Sequence, residues 1–324
     1  MAKLNFSAWN KMEMNSPKVI YITGLAYSGT TLFSAALGYS KSFFNAGEVN
    51  YLENDYHHKK ICSCGQKVDD CPVWRPVLNC VKSDSENQIE TLTFSQDQTL
   101  RTIDKRSRPL WIRLLTLLGV RPEYLFEKEE LKDYALRHQN FMHELSSTLN
   151  VDFVVDASKN FTRLQVLHQY SDFPIHVIYV RRSHIQTYAS RLKRAKRRNR
   201  FYLPLFAPVY LSVILFRVRG LRRQLKVFDH SNLSIVDYEA FIDDPSSVEA
   251  QLTKELGTPV ELGICGNEFG LDHLHVFTGN IWLAQAAKTG EKVTIKSGDG
   301  RATLSWFEKL SYRAFSPLFK LLGD

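Results

Sequence analysis

Lys18-Val-Ile-Tyr-Ile-Thr-Gly24-Leu-Ala-Tyr-Ser-Gly-Thr-Thr31-Leu-Phe-Ser-Ala-Ala-Leu-Gly38 decides the fold. Lys18–Thr23 is a short β-branched run closed by Gly24, which reads as a buried strand. Leu32–Gly38, opened by small hydroxyl residues, reads as a helix. Strand, glycine loop and helix in that order begin a βαβ unit. Gly24-x4-Gly29-Thr30-Thr31 has the spacing of a P-loop, G-x-x-x-x-G-K-[ST], with Thr30 where the lysine belongs. Backbone N–H groups of a glycine turn, placed at a helix N-terminus, still make an anion cradle. The lysine that reaches the β- and γ-phosphates is missing, so nucleoside triphosphate hydrolysis is not expected. The loop suits one phosphate-like group better than a triphosphate. The competing reading is a strand-to-helix turn that binds nothing.

Further strands are read at Val151–Asp156, Ile175–Val180 and Leu233–Val236. Helices are read at Thr162–Tyr170, Ile185–Lys196 and Ser247–Leu256, the last stopped by Gly257. Residues 101–148 read as helical with a break near Gly119 and Pro122, and residues 40–100 as irregular. This alternation predicts an α/β fold, a mostly parallel sheet flanked by helices. Ligands in such folds bind beyond the carboxyl ends of the strands. Gly24–Thr31, Asp156–Lys159 and Arg181–Ser190 all follow strands, so three distant pieces of sequence are expected to converge.

The chain has 324 residues, enough for one large α/β domain or two small ones. With 44% hydrophobic and 23% charged residues it is neither a disordered nor a collagen-like chain. The organisation expected is a lead-in at 1–17 and a single domain at 18–324, with a basic and apolar insertion at about 191–227. No apolar run reaches the roughly 18–20 residues that span a bilayer. The first residues lack the apolar core of a secretory signal, so the expected location is the cytoplasm. The net charge of +8 is local: residues 181–226 hold 14 Lys or Arg and no acid, and the rest holds 28 basic against 34 acidic residues. That segment is expected to face something anionic.

Strand, Gly24-x3-Ser28-Gly-Thr-Thr-Leu32 and helix together resemble the 5′-phosphosulfate loop of sulfotransferases that use 3′-phosphoadenosine 5′-phosphosulfate (PAPS). Six more pieces follow in the order of that family, bacterial-type members included. They are Gly47-Glu48, Cys62-x-Cys64-Gly65 with Cys71-Pro72-x-Trp74, Asp156-x-Ser158-Lys159, Arg181–Ser190, Val236-x-Tyr238-Glu239 with Pro245, and His275-x3-Gly279-Asn280. The resemblance runs from about Lys18 to Gly323. It implies a P-loop NTPase-like sulfotransferase architecture and transfer of a sulfuryl group from PAPS to an acceptor hydroxyl or amine, leaving PAP.

Carried onto this sequence, the resemblance makes Gly24, Ser28, Gly29, Thr30 and Thr31 the cradle, through backbone N–H groups and hydroxyls. Many members carry Lys or Arg just before the S/T-G-T core, where this chain has Tyr27. Lys159 is the expected substitute cation, and the alternative for it is a solvated loop lysine. Asp156 and Ser158 read as ligands or as turn residues. Glu48 is the base candidate, because a partly desolvated glutamate suits proton abstraction; an exposed loop residue is the alternative, with His57 and His58 as other bases. The family binds the 3′-phosphate with an Arg at a strand end and a Ser eight residues on. Arg182 to Ser190 fits that spacing, whereas the strand end favours Arg181, so both arginines and Ser190 stay open. Asn280 is assigned to the adenosine end. An Arg often follows that Asn in the family; here Lys296 or Arg301 would compensate.

His57, His58, Cys62, Cys64 and Cys71 could supply a structural zinc site. They lie in one 15-residue loop, and C-x-C is not the usual C-x2-C knuckle. The expectation is a local disulfide or plain thiol packing, with no metal required by PAPS chemistry. Arg191–Arg200 holds seven basic residues in ten, and the largely apolar 201–216 follows, broken by Pro204 and Pro208. Three readings stand for this stretch: peripheral contact with anionic lipid at the inner membrane face, a buried helix with a solvated basic approach, and recognition of an acidic polymer acceptor. No nucleic-acid signature is present. The acceptor expected is a saccharide or lipid-linked glycan. The rival functions are a P-loop kinase and a non-catalytic membrane-associated protein that retains the fold.

Overall fold

Val19, Ile20, Tyr21 and Ile22 have no solvent exposure, so the first strand is covered on both faces. The computed structural model describes residues 17–83, 110–197, 207–266, 268–271, 273–278, 286, 292–294 and 303–321. Five parallel strands form the main sheet: β1 (Lys18–Gly24), β2 (Phe43–Gly47), β3 (Phe153–Asp156), β4 (Ile175–Arg181) and β5 (Leu233–Asp237). Their order is β2-β3-β1-β4-β5, which places β1 at the centre. In register, β1 runs beside β3 from Lys18↔Phe153 to Tyr21↔Asp156, and beside β4 from Val19↔Ile175 to Gly24↔Val180. The loops after β1, β3 and β4 therefore leave the same edge of the sheet.

The helices are α1 (Thr30–Leu37), α2 (Leu52–His57), α3 (Trp74–Ser83), α4 (Leu110–Leu117), α5 (Lys128–Leu149) and α6 (Phe161–Tyr170). They continue with α7 (His184–Arg197), α8 (Ala207–Leu225), α9 (Tyr238–Asp243), α10 (Pro245–Leu256) and α11 (Trp306–Leu321). A small antiparallel sheet joins β6 (Ile264–Cys265), β7 (Glu268–Phe269) and β8 (Val293–Thr294). The twofold alternation of β1 divides the core. Val19 and Tyr21 pack with residues of α3, α5, α6, α7 and α8. Ile20 and Ile22 pack with residues of α1, α9 and α10. Burial of each such side chain stabilises the fold by about 1.5–3 kcal/mol.

Over 40–83 the irregular reading is corrected by β2, α2 and α3, and the rest of that stretch, 84–100, lies outside the described residues. Phe43-Phe-Asn-Ala-Gly47 has no β-branched residue, and the strand propensity of its two phenylalanines is completed by tertiary pairing. It pairs with β3, and the rings of Phe43 and Phe153 stack at 4.4 Å. Asn45 Oδ1 accepts the Gly47 N–H at 3.0 Å where the register slips.

Part of the cationic segment is structural. From Ala207 onward the apolar stretch is helix α8, whose Ala207, Leu211, Ile214 and Val218 are buried. One face of 207–218 is thus buried while Pro208, Val209 and Ser212 are exposed, and 198–206 lie outside the described residues. Lys196 pairs at 2.9 Å with the fully buried Glu308 of α11. That contact, with the Ser305 N–H, holds the Glu308 carboxyl below its usual range despite burial, which acts the other way. The Arg191 guanidinium lies 5.4 Å from the Tyr210 ring. No described helix is long and apolar enough to cross a membrane.

Candidate active site

Gly29 ends the loop after β1 in the left-handed region, at φ 88°, and serves as N-cap of α1. A Cβ at this position would drive into the ring of Tyr238, so two independent constraints require glycine. Tyr27 is also left-handed, at φ 74°. No side chain among the described residues caps the N-terminus of α1. The first turn therefore leaves N–H groups from Gly29 to Leu32 without intrahelical partners. The Ser28 N–H is engaged by Leu25 O at 3.1 Å, which corrects its place among the cradle amides. Its hydroxyl remains: Ser28 Oγ is buried with no hydrogen-bond partner among the described residues.

Lys159 reaches this loop from the end of β3. Its Nζ lies 3.2 Å from Thr31 Oγ1 and 3.1 Å from Glu48 Oε1. Glu48 itself follows the unanticipated strand β2, so a fourth strand end contributes. Three residues separated by up to 128 positions thus meet at one point. Both charged side chains keep partial contact with solvent, at 23% and 19% exposed.

The position of Lys159 is set by a buried network that the sequence reading did not contain. Lys159 is left-handed at φ 57°, a conformation that costs about 1–3 kcal/mol in a residue with a Cβ. The surrounding loop fixes it. Asp156 Oδ1 accepts from the Ser158 N–H at 2.9 Å and from its hydroxyl. Ser158 Oγ in turn accepts the Asn50 N–H at 3.1 Å. Tyr21 OH donates to Asn160 O at 2.7 Å and accepts the Asn160 N–H at 3.1 Å. Asn160 Oδ1 caps α6 through the Arg163 N–H. Arg163 and Asp156 form an ion pair with no solvent exposure, Nη2 to Oδ2 at 2.9 Å. Arg163 Nη1 also donates to Tyr134 OH at 2.7 Å and to His138 Nε2. Burial, with the Arg163 charge beside it, holds His138 well below the usual imidazole range. Asp156 and Ser158 are therefore loop supports, the turn-residue alternative of the sequence reading.

The second arm of the site lies at the end of β4. Arg181 pairs with Asp237 of β5, Nη2 to Oδ2 at 2.7 Å. Arg182 turns to the loop: Nη1 donates to Tyr27 O at 2.9 Å and lies 3.4 Å from Ser190 Oγ. Its Nε is buried without a hydrogen-bond partner among the described residues. Its guanidinium sits 4.6 Å from the centre of the Tyr238 ring that also covers Gly29. Burial raises the Tyr238 hydroxyl above its usual pKa, against the opposing Arg182 charge. Arg194 lies 5.7 Å from the Tyr27 ring. Glu239 Oε1 accepts the Ser183 N–H ahead of α7 at 3.3 Å, and Pro245 opens α10. The Tyr-Glu element is thereby tied to the loop it faces.

His57 lies 3.8 Å from Glu53, and His58 Nδ1 contacts Asn54 O. Neither contacts Glu48, Lys159 or Thr31 among the described interactions. Asn280, with Gly279, Lys296 and Arg301, lies outside the described residues. A cleft of about 770 Å³, lined by Lys18, His143, Asn150, Asp152 and Thr258, lies at the opposite, amino end of β1 and β3. The converging side chains all lie at the carboxyl end.

Solved structures similar to this chain are those of sulfotransferases. Sulfotransferase STF1 of Mycobacterium tuberculosis H37Rv is 14% identical, with a TM-score of 0.46, over 96% of this chain and 81% of that one. The sulfotransferase domain of the Synechococcus PCC 7002 olefin synthase is 13% identical, with a TM-score of 0.43, over 93% and 95%. Sulfotransferase STF9 of Mycobacterium avium is 12% identical, with a TM-score of 0.45, over 79% and 69%. No family model matches the chain, and no curated protein matches it.

Proposed function

We propose that the chain transfers a sulfuryl group from PAPS to an acceptor hydroxyl or amine. The observation that carries this reading is the meeting of Lys159, Glu48 and Thr31 on a phosphate-type loop that lacks its own lysine. The buried, unpartnered Ser28 Oγ and Arg182 Nε support it, because buried donors without partners mark places where a ligand acceptor fits. They lie at the two places the resemblance assigns to anionic groups of the donor.

In this reading Ser28 and the first-turn N–H groups of α1 hold the group being transferred. Lys159 neutralises the oxygen that leaves with the 5′-phosphate, in place of the cation missing at position 27. Arg182 and Ser190 hold the 3′-phosphate, while Arg181 serves β5 through Asp237. Glu48 accepts the acceptor proton as the new sulfur–oxygen bond forms and the bond to the 5′-phosphate breaks. Lys159 exchanges Glu48 for the donor, which frees the carboxylate at the moment it is needed. Positioning and electrostatics then carry the catalysis, as in phosphoryl transfer. A kinase is the weaker alternative. Asp156 is held by Arg163 and Asp237 by Arg181, which leaves a Mg²⁺-nucleotide poorly provided with carboxylates at these strand ends. The acceptor class proposed is a saccharide or lipid-linked glycan that carries anionic groups, because Arg194 brings positive charge beside Tyr27.

The test is release of PAP from PAPS in the presence of a panel of hydroxylated lipids and saccharides. Turnover with at least one acceptor is expected. Glu48→Gln should lower kcat about 10²–10⁴-fold and leave PAP affinity unchanged. Full turnover by Glu48→Gln would remove it as the base. Arg182→Ala should weaken PAP binding about tenfold or more, the loss of one charged hydrogen-bonding partner, and Arg181→Ala should not. The reverse pattern would assign the 3′-phosphate to Arg181.

A further inference from the structure

Cys62, Cys64, Cys71 and His275 bring their ligand atoms within 4.8 Å of one another. His275 comes from more than two hundred residues downstream of Cys71. It was read only as part of a different element, and His57 and His58 do not join the cluster. The separations are 3.6 Å for Cys71 Sγ to Cys62 Sγ and 3.8 Å for Cys64 Sγ to Cys71 Sγ. Cys71 Sγ to His275 Nδ1 is 3.3 Å. A tetrahedral zinc with bonds of about 2.3 Å to sulfur and about 2.05 Å to nitrogen sets these edges at about 3.8 and 3.5 Å. We propose that these four residues form a structural zinc site.

The local chain is folded as such a site requires. Cys62-Ser-Cys64-Gly65 is a tight turn, with Gly65 at φ 89° and its N–H bonded to Cys62 O at 2.9 Å. The turn is closed by Cys62 N–H to Gln66 O at 2.9 Å and by the bridge between Ile61 and Lys67. Residues 274–278 run alongside it. Ser63 N–H bonds Val276 O at 2.9 Å, Ser63 Oγ donates to Leu274 O at 2.6 Å, and Ser63 Oγ accepts the Val276 N–H at 2.9 Å. Trp74 Nε1 donates to His275 O at 2.5 Å. Cys62 and Cys71 are fully buried.

Of the two states expected from sequence, a local disulfide and plain thiol packing, the disulfide does not form among Cys62, Cys64 and Cys71. The three cysteines are free thiols, with sulfurs far beyond the bonded distance of about 2.05 Å. Three thiols with one imidazole match a structural Cys3His set, whereas iron–sulfur clusters are usually held by four thiolates. Four protein ligands leave no open position, so the ion would take no part in transfer. Its place is mechanical. Thr278 Oγ1 donates to Ala46 O at 3.2 Å, and a Cβ on Gly47 would run into Thr278 and Val276. The cluster thereby clamps 274–278 against the end of β2, next to Glu48. The proposal holds whatever group the loop at Gly24–Thr31 carries.

The test is metal analysis of purified full-length protein by mass spectrometry, together with zinc release on titration with a mercurial thiol reagent. About one zinc per chain is expected, released as the thiols react. Cys71→Ser and His275→Ala should lose about nine-tenths of it, while His275→Cys, which remakes a four-ligand set, and Cys265→Ser should keep it. Cobalt exchanged into wild-type protein should show thiolate-to-metal absorption, a readout that does not depend on any variant folding. Folded wild-type protein that holds no zinc and develops no cobalt band would overturn the proposal. So would zinc retained in full by both Cys71→Ser and His275→Ala.

Discussion

Lys159→Ala is expected to lower kcat by about 10²–10³-fold, the loss found when one preorganised electrostatic group is removed from a transition state. No other described lysine or arginine contacts both Thr31 and Glu48, and Thr30 stands where the P-loop lysine would be. Stability should change little. The Lys159–Glu48 pair is partly exposed, and such pairs contribute about 0–1 kcal/mol. The left-handed φ is no better or worse for alanine than for lysine. Activity and folding should therefore separate: an unfolding midpoint near wild type with turnover almost abolished. Normal turnover would show that Lys159 is a solvated loop lysine.

Arg163→Met is expected to do the opposite, costing about 3–5 kcal/mol of stability. Asp156 would be left charged and unexposed at the end of β3, and an uncompensated buried charge is among the largest single-residue penalties known. Asp156→Asn combined with Arg163→Met removes that charge and should recover most of the loss in denaturant unfolding. The double variant keeps an oxygen for the Ser158 N–H but loses the rigid pair, so its turnover should stay below wild type. A loss under about 1 kcal/mol for Arg163→Met would show that the network is not what supports the Lys159 loop. His138 adds a pH dependence. Held neutral by burial and by Arg163, it refuses a proton that the unfolded chain accepts near the ordinary value of 6.5. Stability from this group is present above that pH and is lost as the pH falls below it. Replacing His138 with Asn should flatten that part of the unfolding profile.

The loop at Gly24–Thr31 was legible because its meaning is local: strand, glycine turn and helix are consecutive in sequence. Lys159 and Glu48 were legible as candidates because each sits in a short motif. Their meeting was not, since β2 is five residues with no β-branched run and only Phe43 and Phe44 to favour a strand, and its pairing with β3 is what defines it. Counting left Arg181 and Arg182 open, and the fold distinguishes them by their contacts, Arg181 on Asp237 of β5 and Arg182 on Tyr27 O and Ser190. The Arg163 network was invisible for the same reason: Tyr134 and His138 lie one turn apart on α5, and only the packing of α5 on α6 brings them to Arg163. The charge count at 181–226 showed a cationic segment but not that Lys196 is matched by Glu308. Nor did it show that Arg191 and Arg194 lie on tyrosine rings.

The measurement that tests the central claim most directly is calorimetric titration of the protein with PAP without added metal, beside a parallel titration with ATP and Mg²⁺. The account predicts micromolar PAP binding, near roughly −8 kcal/mol, and no response to ATP with Mg²⁺. Folded protein that binds ATP with Mg²⁺ in preference to PAP, or that binds neither, would contradict it.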